Sequence, residues 1–305
     1  MTIFDAFYLI LPLFLIIFLG WLLFRIKVAN EQWIKVLNEF AFYVGLPLLS
    51  FMNLYTLDLQ AFGNAVLVSN SIFMIAAIAL TVALTFLLRL SRASGSVVIL
   101  CTLFGNIAYM GYPVNEMVFG KDGLSVAVIV CSISTFFFFT FAIAAAQYRA
   151  GGNPNLRDVL RHIAKIPLLW AVVIGAIMGY FRIPLPDFVI KPLNMLASAS
   201  SVVVLLALGA FMATLSLRRQ LGQIVLIAVL KLAMLPLMFW IISLAFDMDK
   251  LQFSVSMLQA SMPVGVSAFT IADNMGLDRE VAASSVFATT LLSVLTLPLF
   301  VALLT

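Results

Sequence analysis

The sequence predicts an all-α integral membrane protein whose ten transmembrane helices form two inverted halves of five, with helices 4 and 9 broken. Three observations lead there: the solvent that the composition demands, the number of apolar runs, and breaks at matching places in the two halves. Of 305 residues, 64% are hydrophobic and 10% charged, against roughly 25% charged in a soluble domain. Water is therefore the wrong solvent for this surface. A mean hydropathy of +1.17 describes continuous apolar content rather than a single anchor. Backbone groups in lipid must pair internally, which leaves helices or a closed barrel. The apolar runs are too long and unbroken for the roughly ten-residue alternating strands of a barrel.

At about 20 residues per span, the runs fall at 4–24, 34–54, 63–88, 95–119, 123–148, 166–184, 191–215, 221–246, 251–275 and 280–304. The first opens without a basic region before it and without a small-residue cleavage site after it, so it reads as a retained helix rather than a signal peptide. The connections are short, and the longest carries Arg149, Arg157, Arg161 and Lys165. This loop divides the chain into a first repeat (1–150), a connecting loop (151–165) and a second repeat (166–305). An even number of spans puts both termini on one side of the membrane.

The basic residues set the orientation. Arg25, Lys27, Lys35, Arg89, Arg92, Arg149, Arg157, Arg161, Lys165, Arg218, Arg219 and Arg279 follow odd-numbered spans, twelve against the four (Lys121, Arg182, Lys191, Lys250) on the opposite side. Cytoplasmic loops carry the excess of Lys and Arg, so both termini are expected on the non-cytoplasmic side of the inner (cytoplasmic) membrane. The net charge of +4 then reads as a topology signal, and no nucleic-acid partner is expected. Cys101 and Cys131 lie inside apolar runs with no CxxC pair, and read as packing residues.

The halves look related. Leu37-Asn38 opens span 2 and Leu193-Asn194 opens span 7; Phe51-Met52 and Phe211-Met212 follow at nearly the same distance, and Pro113 and Pro263 occupy matching spans. Five spans is an odd number, so a duplicated unit lies inverted relative to its partner, a design that holds a substrate between the repeats near mid-bilayer.

Span 4 carries Gly105, Asn106, Tyr109, Gly111, Pro113 and Asn115, and span 9 carries Gln259, Ser261, Pro263 and Gly265. Proline lacks an N–H and crowds the carbonyl four residues back, and a break at membrane depth survives only beside a cavity or buried in protein. If the two helices cross at their breaks, the half-helix amino ends meet and attract an anion. These ten residues are the candidate substrate-binding set. Against them stands the plain reading that proline kinks are common in membrane helices without any binding role.

Along nearly its whole length the chain resembles the auxin efflux carrier family, which includes plant PIN-type carriers and bacterial malonate-type transporters. The resemblance rests on Leu37-Asn38 through Phe42-Tyr43 to Leu46-Pro47, on Gly105-Asn106 to Met110-Gly111-Tyr112-Pro113, and on Gln259-Ala260-Ser261-Met262-Pro263-Val264-Gly265. Plant members have a long loop between the halves; here it is short. The resemblance implies a secondary transporter of small organic anions, mono- or dicarboxylates, on the fold shared by sodium/proton antiporters and bile-acid symporters. It further implies a scaffold from spans 1, 2, 6 and 7, a transport domain from spans 3–5 and 8–10, crossed broken helices 4 and 9, an elevator-like movement and a homodimer through the scaffold. Asn106 becomes the substrate-contacting amide, with Pro113 and Pro263 marking the crossover; no cofactor or metal is implied.

Glu39, Glu116, Lys231 and Asn70 remain as coupling or structural candidates, since intramembrane polar groups are often functional. Lys231 is the hardest to dismiss: a buried cation needs a partner and no carboxylate suggests itself. Asn53, Asn64 and Asn70 suit bonds across helices, His162 a solvated loop, and Phe136–Phe139 lipid-facing or packing bulk. Tyr109 and Tyr112 flank the break. The alternative functions are a sodium-coupled symporter of the bile-acid type and a sensor that binds a carboxylate without moving it. An intramembrane enzyme is disfavoured by the lack of an HExxH helix, an aspartate pair or a Ser/His pairing within the spans.

Overall fold

The computed structural model describes residues 1–57, 64–153, 155, 157, 160–161, 164–215 and 220–305; His162, Arg218 and Arg219 lie outside the described residues. The described chain is helical throughout, with one isolated bridge between extended segments. In order come α1 (Ile3–Arg25), α2 (Glu31–Phe40), α3 (Leu46–Thr56), α4 (Ala65–Leu87), α5 (Arg92–Leu103), α6 (Gly111–Phe137) and α7 (Ile143–Ala150). Then follow α8 (Pro167–Tyr180), α9 (Asp187–Thr214), α10 (Leu221–Val229), α11 (Leu235–Ser243), α12 (Lys250–Ala260), α13 (Ser267–Asn274) and α14 (Arg279–Leu304). π-helical turns at Ala41–Gly45, Phe138–Ala142 and Leu230–Met234 join α2 to α3, α6 to α7 and α10 to α11.

Among the described residues, seven helical stretches are long and apolar enough to cross a membrane, and Arg92–Leu103 and Pro167–Tyr180 are shorter apolar helices. The difference from ten predicted runs has local causes. Runs 4 and 9 are each cut into pieces too short to count, and run 6 yields a helix of only 14 residues. The second piece of run 4 is fused to run 5 across Gly120, whose φ of 69° and ψ of −161° place a sharp kink inside α6. Only glycine adopts that conformation readily.

Short polar side chains start several helices. The Asn30 side chain accepts from Trp33 N at the head of α2, Ser91 from Ser94 N before α5, and Asp249 from Gln252 N before α12. Each meets one of the amides that a helix start leaves over.

Burial separates two kinds of helix. On α1 only one stripe is buried (Ala6, Ile10, Leu13, Ile17), while Phe4, Tyr8, Leu15 and Phe18 are exposed, the spacing of a helix with one face on protein and one on lipid. On α5, by contrast, every residue from Gly95 to Leu103 is buried, and on α12 every residue from Ser254 to Ala260. The peripheral helices pair in two sets: α1 lies along α9, and α3 along α8. Both pairs approach closely through small residues. A Cβ on Gly209 would run into the Ile17 carbonyl, and one on Gly175 would stand 2.7 Å from the Phe51 carbonyl.

Candidate functional site

The buried stretches of α5 and α12 stop at the same place. α5 ends at Leu103, and Phe104 turns extended with φ −91° and ψ 97°. α12 ends at Ala260, three residues before Pro263; a residue that precedes proline disfavours the helical region, and proline donates no bond to the ladder. The resulting stretches, 104–110 and 261–266, run antiparallel. Asn106 N donates to Pro263 O at 2.7 Å and Gly265 N donates to Phe104 O at 2.8 Å, which pairs Gly105 with Val264 as an isolated bridge. Val264 N donates to Thr289 Oγ1 at 3.0 Å. Polar backbone released at this depth is therefore satisfied by the opposite break rather than left to lipid.

Both chains resume helical structure directly beyond the bridge. Asn106 O accepts from Met110 N at 3.1 Å and from Gly111 N at 3.0 Å, while Gly265 O accepts from Ala268 N at 3.0 Å. The first-turn amides of residues 107–109 and 266–267 thus stand outside the ladder. Those segments border one cavity of about 90 Å³, lined by residues 103–109 and 265–267 and closed by Cys131, Ser134, Thr135, Phe138, Phe139, Phe42, Leu46, Ile166 and Leu168. Its walls are largely apolar, with a few converging polar groups, the usual make-up of a small-ligand site. Asn106 is 4% exposed, and its Nδ2 has no hydrogen-bond partner among the described residues. An unpaired buried amide is costly, and it sits where two helix amino ends converge.

Of the ten candidate binding residues, Gly105, Asn106, Tyr109 and Gly265 line this cavity. Tyr109 also donates its hydroxyl to Asn38 Oδ1 at 3.1 Å, tying the site to α2. The other six lie elsewhere. Gln259 is a strut: its Nε2 donates to Ile107 O and to Ala127 O, each at 3.2 Å. Gly111 makes room for it, since a Cβ there would collide with Gln259 Oε1. Asn115 donates to Gly111 O and Ser261 to Met257 O, both within their own helices. Pro263 holds the bridge through its carbonyl. Pro113 does not mark the break; it falls in the first turn of α6, past the crossing. The ladder runs past it, with Tyr112 N donating to Ala108 O and Val114 N to Met110 O, so Pro113 forgoes one bond, in the first turn where proline is best tolerated.

The coupling candidates separate in the same way. Glu39 is exposed and 3.9 Å from Lys35 one turn away, and Glu116 is half-buried on α6; neither lines the cavity. Asn70 donates to Ser256 Oγ at 3.0 Å, a bond across helices of the expected kind. Asn53 accepts from Ser125 at 3.3 Å, while Asn64 makes no side-chain cap bond at the head of α4. Tyr112 is fully buried and shares a 3.2 Å hydrogen bond with Ser50, away from the cavity.

Lys231 reaches the crossing from behind. It sits in the π-helical turn between α10 and α11, is 4% exposed, and lines a chamber of about 20 Å³ with Asn70, Ser134, Gln259, Gly105 and Ile107. The last two, with Ser134, also border the larger cavity. The aromatic wall was not legible in the sequence as part of a site. Phe136 is exposed as expected of lipid-facing bulk, but Phe138 is buried, packs on Phe104 at 4.5 Å between ring centroids, and with Phe139 closes the cavity.

The profile of a family described as membrane transport protein matches residues 5–301. The chain belongs to that family, the auxin efflux carriers. It is 27% identical over 293 residues to an uncharacterised transporter of Methanothermobacter thermautotrophicus, covering 95% of this chain and 96% of that one. It is 29% identical over 301 residues to a Rhizobium meliloti protein named "Putative malonate transporter", covering 94% and 92%. A third relative, an uncharacterised transporter of Escherichia coli K12, is 20% identical over 305 residues and is covered to 95% of its length. This family member is therefore a multi-pass membrane transporter.

Proposed function

We propose that this transporter is a secondary carrier of small organic anions, mono- or dicarboxylates, which it binds at the crossing of the two broken helices. The observation that carries the reading is the Asn106 side chain, buried and unpartnered in a cavity bordered by two helix amino ends. Amide donors and helix amino ends favour a carboxylate through their partial positive charge. The relative named as a malonate transporter agrees with this chemistry.

The movement we propose is of the elevator type. α1, α2–α3, α8 and α9 form the scaffold, and the remaining helices carry the crossing. Support comes from the paired packing: α1 on α9 and α3 on α8 are the contacts that a five-plus-five inverted repeat would exchange, since span 1 corresponds to 6 and span 2 to 7. The antiparallel pairing of the two breaks fits the same symmetry. We take both termini to lie outside the cytoplasm, an orientation that the charge bias of the loops supports.

Uptake of labelled carboxylates into proteoliposomes, with and without a sodium gradient, tests the reading. Saturable uptake that is indifferent to sodium is expected. Binding without flux would make the protein a sensor, and uptake that requires sodium would make it a coupled symporter.

A further inference from the structure

We infer that Lys231 is the fixed counter-charge of the crossing, and that it tunes the site to substrates bearing one negative charge. This rests on the reading of the cavity as an anion site. The first observation is proximity. A Cβ added to Gly105 would stand 2.9 Å from Lys231 Nζ, so the ammonium lies against the backbone of the crossing at a residue that has no side chain. Gly105 and Ile107 face the chamber of Lys231 on one side and the anion cavity on the other. The charge is separated from that cavity by the thickness of one extended strand.

The second observation is that this charge is uncompensated. Among the described residues the ion pairs are Lys35 with Glu39 and Arg279 with Asp273, both exposed, and no acid lines either chamber. A cation removed from water and left without a partner is strongly disfavoured. The third is the identity of every other group around it. Asn70, Ser134 and Gln259 are neutral, as are the side chains that line the larger cavity, where Tyr109 and Cys131 are the only other ionisable groups. The two linings together therefore carry a formal charge of +1.

A bound monoanion neutralises that charge, and the loaded crossing becomes electrically balanced inside a low-dielectric interior. A dianion leaves one negative charge met by amide dipoles alone. The empty crossing is positive. Lys231 in this account touches no substrate: it is a positioning charge acting across Gly105, and its effect is on charge selection rather than shape.

The test uses three probes of one skeleton: malonamide (neutral), monomethyl malonate (one charge) and malonate (two charges). Their dissociation constants are measured on purified full-length protein at neutral pH. The wild type is expected to bind monomethyl malonate most tightly. Lys231→Gln should weaken that binding at least about tenfold, as expected when one partner of a buried charge pair is removed, and should abolish the preference for one charge. Lys231→Arg should keep the preference. Asn70→Asp places a near-isosteric carboxylate in the same chamber and should reproduce the Lys231→Gln result in a protein that retains its ion, so the test survives if Lys231→Gln fails to fold. Wild type that prefers malonate, or Lys231→Gln and Asn70→Asp proteins that keep the wild-type order and affinity, would overturn the assignment while leaving the anion site standing. Wild type that binds no member of the series would overturn both.

Discussion

The two breaks at the crossing are related in position but not in use. In the span-9 break, Ser261, Met262, Pro263, Val264 and Gly265 are all buried, and most polar groups beside them are engaged: Gln259 Nε2 with two carbonyls, Ser261 with its own helix, Val264 with Thr289, while Gln259 Oε1 has no partner among the described residues. In the span-4 break, Ile107, Ala108 and Tyr109 are only half-buried and border the cavity, and Asn106 holds an unspent amide. The span-9 break is the more braced of the two, although Gly265 and Val266 also border the cavity; the span-4 break is the one we propose reads the ligand. The lesson is that a symmetric backbone device can divide its labour through the side chains alone.

Substitutions that respect this division sharpen it. The largest effect is expected from Asn106→Ala: carboxylate uptake in proteoliposomes should fall by at least about a hundredfold, the scale of losing a hydrogen bond to a charged ligand in a dry site. Its thermal midpoint in detergent should stay close to wild type, since Asn106 Nδ2 makes no bond among the described residues. Gln259→Ala should do the reverse. It strands the carbonyls of Ile107 and Ala127 and should cost about 1–3 kcal/mol of stability, read as a lowered midpoint. Gly111→Ala comes next. Its methyl meets Gln259 Oε1, and overpacking of this kind costs about 1–3 kcal/mol, less where the Gln259 side chain can swing aside. Pro113→Ala should be the mildest, within about 1 kcal/mol, because the residue sits in the first turn of α6 rather than in the break. A Pro113→Ala protein as impaired as Asn106→Ala would return Pro113 to the crossover.

Much of this was legible in the sequence. Among the described residues every predicted apolar run carries helix, with runs 4 and 9 interrupted at 104–110 and 261–266, because hydropathy over some twenty residues is a property of the run itself. Gly105 and Asn106 stood out as small and polar residues at a depth that tolerates neither without a reason. Pro113 misled because proline marks both breaks and helix starts, and the two uses look alike in one dimension. Its separation from Pro263 suggested an alignment of the halves that the bridge between Gly105 and Val264 does not follow. The contact of Lys231 with the crossing could not be read at all: it depends on a π-helical turn in one half and a missing side chain in the other. The aromatic wall from Phe104, Phe138 and Phe139 was equally hidden, since phenylalanines that face lipid and those that close a cavity share one run.

The central claim is that the anion occupies the cavity at the crossing. The most direct measurement places a reporter there: Ala108→Cys, on a background in which Cys101 and Cys131 are alanine, probed with a membrane-permeant maleimide. Ala108 lines the cavity and is half-buried, so its thiol should react. Protection of that thiol by a transported carboxylate, saturating at the concentration that half-saturates uptake and lost when Asn106→Ala is added, is the predicted result. A thiol modified at the same rate with and without saturating substrate would contradict the account.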